Sequence, residues 1–319
     1  MDILNSMVPI AMMIGTPIII SALGGLFAER SGIVNIALEG MMMVGAFAGA
    51  TSCYFLEQIP SLSQYAGWLA ILIGLIAGLV YSLLLGVSTI SFKADHTIAG
   101  TAVNLLAGGL TVYLCQIIFN QQRTETFRIG ISKIKEVPFL SSIPILGPMF
   151  FKNIYSTIFI AVILVFASYY VVFKTRFGLR LRACGENPQA AASMGIDVYK
   201  TRYIAVMISG ALAGLAGAIM VLTTATQYTA GSIHGVGFIA IAALIFGKWN
   251  PFGILGAGLF FGFSSAISTY ASSIPVLNQL PSEFYSCVPY IFTIVALVIF
   301  SGKAVGPKAA GEIYDSGKR

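Results

Sequence analysis

The sequence predicts an all-α fold: a polytopic helical membrane bundle with eight or nine membrane segments, one of them a re-entrant or half-crossing helix. Three observations carry this expectation. The 319-residue chain is 57% hydrophobic and 9% charged, with a mean hydropathy of +0.88. Apolar runs of roughly 20 residues, the length a helix needs to cross the hydrocarbon core, recur along the whole sequence. These runs do not alternate polar and apolar side chains over ~10 residues as a membrane strand would, which excludes a barrel.

In order, Val8–Phe27, Ile36–Leu56, Trp68–Ile90, Thr97–Phe119, Ile154–Phe173, Tyr203–Leu222 and Pro251–Tyr270 each have the length of a span. Val288–Phe300 reaches that length only with its flanks, Ser286 and Ser301 included. Ile233–Phe246 is shorter still and suits a half crossing. The first span lacks a basic segment before it and reads as a retained helix, not a cleaved signal. Residues 1–319 thus form a single transmembrane domain. Glycine accounts for 34 residues, and the pairs Gly74/Gly78, Gly210/Gly214 and Ala213/Gly217 have the spacing that lets helix backbones approach closely.

Three polar stretches interrupt the apolar pattern. The island 174–202 carries six of the eighteen Lys and Arg and two acids; the proline-broken loop 120–153 carries five basic residues and two acids; the tail 302–319 adds Lys303, Lys308, Lys318 and Arg319. An even number of crossings separates island from tail, so both fall on one side. Basic loops favour the cytoplasm, which places the island, the tail and the short loops at Glu29–Asn35 and Phe92–Asp95 inside. Loop 120–153 and the N-terminus are then outside. Pro138, Pro144 and Pro148 break that loop into a lid, a shallow interfacial segment or a contact for an external protein. The charge of +6 belongs to membrane edges, which argues against nucleic-acid binding.

Within the island, Asn187 can cap a short helix, Pro188 fits its first turn and Gly195 its left-handed stop. The helix Pro188–Met194 has a small-residue face of Ala190, Ala191 and Ala192, and is too short to be stable alone. Its own bundle or another protein must seat it, and the flanking Lys and Arg can anchor it to headgroups. In ERSGIVNIALEGMMMVG, Asn35 and Glu39 lie four residues apart on one face. Glu39 is an intramembrane carboxyl that either fixes packing by an interhelical hydrogen bond or forms a polar wall of a solute route. Asn104 poses the same alternative within its span, where Asp95 and His96 mark the helix start. Gly231, Gly235 and Gly237 open the short run, and Gly247, Pro251 and Gly253 close it; broken helices of this kind bind polar solutes in transporters. Gln227 and Tyr228 are candidates to line its outer mouth.

Several functions are excluded. No GxxxxGK[ST] nucleotide loop is present. Cys53, Cys115, Cys184 and Cys287 stand singly, as do His96 and His234, so no metal site or disulfide framework is expected. An ion-coupled transporter or intramembrane enzyme wants paired acids or a nucleophile with its base, and Glu39 has no apparent partner of either kind.

LFAERSGIVNIALEGMMMVGAF (26–47), ADHTIAGTAVNLLAGGLT (94–111), TRFGLRLRACGENPQAAASMGI (175–196) and GFIAIAALIFGKWNPFGILGAG (237–258) resemble, in order, the permease subunits of bacterial ABC importers of the branched-chain amino acid/ribose class. The ERSG-x-x-N-x-x-x-EG form resembles the nucleoside (guanosine-type) branch that works with basic-membrane-protein lipoproteins. The resemblance implies a multi-pass permease of the cell membrane, not an enzyme, forming half of a path for a nucleoside or, alternatively, ribose or another simple sugar. It implies a two-domain ABC ATPase that holds ATP and Mg, a second and non-identical permease, and an extracytoplasmic solute-binding lipoprotein. It also assigns a role to the island: Pro188–Met194, flanked by Gly185, Glu186, Asn187, Gly195 and Ile196, would seat in the ATPase as a cytoplasmic coupling helix.

Overall fold

The computed structural model describes residues 2–136, 152–270 and 306–315, with single positions 147, 291, 294 and 317. The chain forms α1 (Asp2–Arg30), α2 (Leu38–Glu57), α3 (Ala66–Gly86) and α4 (His96–Phe119). A hairpin of β1 (Lys133–Glu136) and β2 (Lys152–Tyr155) follows. Then come α5 (Thr157–Lys174), α6 (Arg176–Glu186), α7 (Pro188–Ser193), α8 (Val198–Thr224), α9 (Val236–Phe246) and α10 (Pro251–Tyr270).

Among the described residues, six helices are long and apolar enough to cross a membrane: α1, α3, α4, α5, α8 and α10. This is fewer than the eight or nine segments expected, for identifiable reasons. α2 has 20 residues but carries Glu39 in its first turn and Glu57 at its end. α9 has 11 residues, about 16 Å of helix. Val288–Phe300 lies outside the described residues apart from positions 291 and 294, and so do Pro138, Pro144 and Pro148. The hairpin was not anticipated either. Its strands pair antiparallel with Ile134 opposite Ile154, and Lys152 bonds Glu136 at 2.8 Å.

Close backbone packing holds the centre. α8 lies against α1, α2 and α3, and glycine makes the approach possible. A Cβ placed at Gly214 would overlap the backbone of Gly74 and Gly78, one at Gly217 the carbonyl of Met42, and one at Gly45 the backbone of Gly214. Such small-residue contacts replace the hydrophobic drive that is missing between helices in lipid.

The bundle has two ends. At one, the C-terminus of α1, the α3–α4 loop, α6, α7, the start of α8 and residues 306–315 meet. Ala309 N–H donates to Gly185 O at 2.9 Å and Gly311 N–H to Gly32 O at 3.0 Å, while Lys93 pairs with Asp315 at 2.9 Å. Island and tail therefore share a face. At the other end the Glu57 carboxylate accepts the N–H groups of Arg128 and Ile129, each at 2.7 Å, and Phe127 N–H donates to Thr226 O at 2.9 Å.

Two helices start between these ends. Asn104, roughly 12 Å along α4, accepts Gly40 N–H at 2.7 Å and donates to Ile36 O at 2.9 Å, so α2 begins inside the bundle. α9 begins beside Glu39 and ends at the tail-bearing face, where Trp249 meets Glu29 and Arg30.

The packing argument predicts opposite outcomes for two glycines. Gly214→Val should abolish the monodisperse species seen by size-exclusion chromatography in detergent. Gly108→Val, where a Cβ meets nothing within 4 Å, should leave the profile unchanged.

Candidate functional site

The tail-bearing face is built from two consecutive helices, of which the sequence revealed one. In α6, Phe177, Leu181 and Cys184 recur at helical spacing and turn inward, with Leu181 and Cys184 fully buried. Burial pushes the Cys184 thiol above its ordinary range. The basic residues obscured this periodicity: Lys174, Arg176 and Arg180 are exposed, while the Arg182 guanidinium stacks 5.3 Å from the Phe173 ring centre. α7 follows directly, with Asn187 Oδ1 accepting Ala190 N–H at 3.0 Å, Pro188 in its first turn and Gly195 at φ +79°. It ends at Ser193, with Met194 as the cap, one residue short of the expected helix.

The small-residue face of α7 is divided. Ala191 is buried against Cys184, Val198 and Tyr314, and Ala192 and Ile196 are partly covered beside it. Ala190, Ser193, Met194 and Gly195 are exposed, as are Glu186 and Asn187. Gly185 is buried where a Cβ would strike the Arg30 carbonyl. α7 thus has a seat on its own bundle and a free outer surface.

The tail supplies part of that seat, a contribution the sequence did not signal. Arg202, 2% exposed, donates from Nε to Ser31 O at 3.1 Å and from Nη1 to Glu312 O at 3.2 Å, with Tyr314 across its face at 5.9 Å. Gln189 in α7 donates to Asp315 O at 3.2 Å. Hydrogen bonding to Asp315 holds the Lys93 ammonium above its usual range. The amide of Ile98 holds the Asp95 carboxyl below its own, consistent with Asp95 as the cap of α4. Between α7 and the tail runs a groove of about 250 Å³, walled by Glu186, Pro188, Lys308 and Ile313.

The interior candidates fall into two groups. Asn35, Glu39 and Asn104 gather around the start of α2. Asn35 Nδ2 donates to Ser209 Oγ at 2.8 Å. The Glu39 carboxylate accepts Gly235 N–H at 2.8 Å on Oε1 and Gly237 N–H at 2.7 Å on Oε2. Its partner, invisible to a search for a second charge, is the N-terminus of α9, whose amides need acceptors. Gln227 and Tyr228 lie on the segment between α8 and α9. Tyr228 is fully buried, with its hydroxyl donating to Thr111 Oγ1 at 3.0 Å. Gln227 lines a cleft of about 550 Å³ at the opposite end of the bundle, together with Phe127, Arg128, Thr224 and Ser232. Among the described residues no three His, Cys, Asp or Glu side chains gather to hold a metal ion.

Comparison with known proteins yields a family and specific relatives. Residues 7–297 match the family described as branched-chain amino acid transport system / permease component. The chain is 46% identical over 318 residues to the guanosine ABC transporter permease protein NupQ of Bacillus subtilis, covering 100% of this chain and 99% of that one. It is 42% identical over 304 residues to the nucleoside ABC transporter permease protein NupC of Lactococcus lactis, covering 95% and 94%. It is also 28% identical over 292 residues to a second Bacillus subtilis protein, the guanosine ABC transporter permease protein NupP, covering 91% and 80%.

The Glu39 geometry predicts a graded loss of stability. Glu39→Gln keeps one acceptor for the α9 amides, whereas Glu39→Leu leaves both unpaired at a cost of about 1–3 kcal/mol each. Thermal unfolding in detergent should rank wild type above Gln and Gln above Leu. A Leu variant as stable as wild type would remove the carboxylate from any role in holding α9.

Proposed function

The chain belongs to the branched-chain amino acid transport permease family, and from that premise we propose that it is one membrane half of an ATP-driven nucleoside importer. The observation that carries this is the 46% identity to a guanosine permease across the full length of both chains. A permease moves its solute without bond chemistry of its own. ATP and Mg belong to a separate two-domain ATPase, and a lipoprotein on the outer side delivers the solute.

The face that holds α6, α7 and the tail is cytoplasmic in this reading, because the island's Lys and Arg are a positive-inside signal. Helix α9 is then a half crossing that runs from mid-bilayer to the cytoplasmic side. Six full spans, α2 and the return through Val288–Phe300 complete the eight or nine segments. The outer surface of α7, with Asn187, Ala190, Met194 and Gly195, docks the ATPase, while Gly185, Pro188, Ala191, Ala192 and Ile196 fix that surface to the bundle. Support for docking comes from the form of the helix: short, capped at Asn187 and held from one side only. A second, non-identical permease is favoured because Bacillus subtilis carries two guanosine permeases that match this chain at 46% and 28% identity.

Three outcomes are expected. Ala190→Asp or Met194→Asp should reduce ATPase co-purification at least ten-fold while the permease pair stays intact. Ala191→Asp should instead destabilise the permease itself, by about 2 kcal/mol or more, because it buries a charge. Vesicles containing the permease pair, its ATPase and its receptor should take up labelled guanosine and inosine in preference to ribose. Preferential ribose uptake would replace the nucleoside assignment with the sugar one.

A further inference from the structure

The segment between α8 and α9 is irregular backbone that ends inside the bundle. It leaves the outer end at Ala225, passes the buried Tyr228 and reaches Gly235, where Glu39 takes the first α9 amides. From there α9 covers about 16 Å to the other face, which puts Gly235 close to the middle of a hydrocarbon core of roughly 30 Å. Irregular backbone at that depth persists only where it is enclosed by protein or borders water.

Two side chains at this point turn away from the chain's own core. His234 is exposed and Phe238, in the first turn of α9, is 51% exposed. His234 is held in a left-handed conformation, φ +46°, with its imidazole over Gly231, where a Cβ would stand 2.8 Å from Cε1. Its ring nitrogens make no hydrogen bond among the described residues. The outward face of α3 offers a contrast. Leu72, Ile76 and Val80, each 55–57% exposed, form an apolar surface suited to lipid. An imidazole at mid-depth is not, since ionisable groups there face a water-filled cavity or the bundle interior. The outer cleft of about 550 Å³ is lined by Ser232, two residues before His234 in the chain.

We propose that His234 and Phe238 are solute contacts of the translocation path, with Phe238 offering a ring face to a planar heterocycle and His234 a hydrogen-bonding edge. Glu39, buried behind them, is the positioning residue: by fixing Gly235 and Gly237 it fixes the backbone that presents both rings. The inference deepens the nucleoside reading and rests on it, because a purine base has the flat aromatic face that Phe238 can stack against, whereas a pentose has none.

The test uses the complete assembly of both permeases, ATPase and receptor in vesicles, and measures labelled guanosine imported per ATP hydrolysed. Base–aromatic stacking is worth enough that Phe238→Ala should lower this ratio roughly ten-fold. His234→Ala should lower it in the same direction, Phe238→Trp should restore it, and Ile76→Ala on the lipid-facing surface should leave it unchanged. Receptor-stimulated ATP hydrolysis should stay at the wild-type level throughout. Wild-type ratios in both Phe238→Ala and His234→Ala would overturn the proposal and leave the nucleoside assignment standing. Loss of stimulated hydrolysis together with uptake, not rescued by Trp, would make Phe238 structural and overturn it equally. A wild-type assembly that imports no nucleoside would overturn the stacking role and the nucleoside assignment together.

Discussion

The buried carboxylate of Glu39 against the N-terminus of α9 is the contact on which the interior depends. A helix that starts inside a membrane bundle leaves its first amides without intrahelical partners, in surroundings that hold little water. Here Gly235 and Gly237 find theirs on the two oxygens of one side chain. α2, which also starts inside, is served in the same way by the Asn104 side chain, which closes on Gly40 N–H and Ile36 O. Glu39 is itself in the first turn of α2, so Asn104 orders α2, α2 presents Glu39, and Glu39 orders α9. These groups form one hydrogen-bonded series linking three helices, and removing any member strands backbone groups on its neighbours.

That series reaches the tail-bearing face through α9. At the far end of the helix, Trp249 donates its indole N–H to Glu29 Oε2 at 2.5 Å, and Arg30 donates to the Trp249 carbonyl at 2.9 Å. Gly306 in the tail lies against the Trp249 ring, where a Cβ would stand 3.0 Å from it. The tail then runs over Gly185 and Gly32 to Tyr314, which covers Ala191 of α7. The surface proposed for the ATPase and the surface proposed for the solute are thus ends of one packed, hydrogen-bonded body. Coupling over such a distance requires elements with two discrete arrangements. Helices that begin at side-chain caps, with glycine beside them, are suited to supply them, since a cap is a small number of bonds that can be exchanged together.

Much of this was legible in the sequence wherever a single local signal sufficed. Spans were marked by apolar length, close helix approach by Gly74, Gly78, Gly210 and Gly214, and α7 by Asn187, Pro188 and Gly195. What escaped detection depended on combinations. The amphipathic period of α6 was masked by its own charges, because Arg180 and Arg182 read as headgroup anchors before Leu181 and Cys184 read as a core stripe. The hairpin was hidden in a loop judged by its prolines. Treating Ala190, Ala191 and Ala192 as one face ignored the 100° turn between neighbours, which buries Ala191 and exposes Ala190. The partner of Glu39 is a helix end distant in sequence, and no residue type advertises a backbone amide.

The same contact bears on the kind of solute the path suits. The N-terminus of a helix carries roughly half a positive charge, and broken-helix transporters commonly use such ends to hold an anionic group. In this chain the end of α9 is already occupied by a carboxylate from α2, and the start of α2 by the amide of Asn104. Among the described residues, both of these helix starts are met by the chain's own groups, so neither offers an anionic solute an unmatched positive end. The proposed path presents an imidazole and a phenyl ring, His234 and Phe238, which reward hydrogen bonding and flat apolar contact more than charge. An uncharged solute with a polar rim and an aromatic face meets those terms, and a nucleoside is such a molecule.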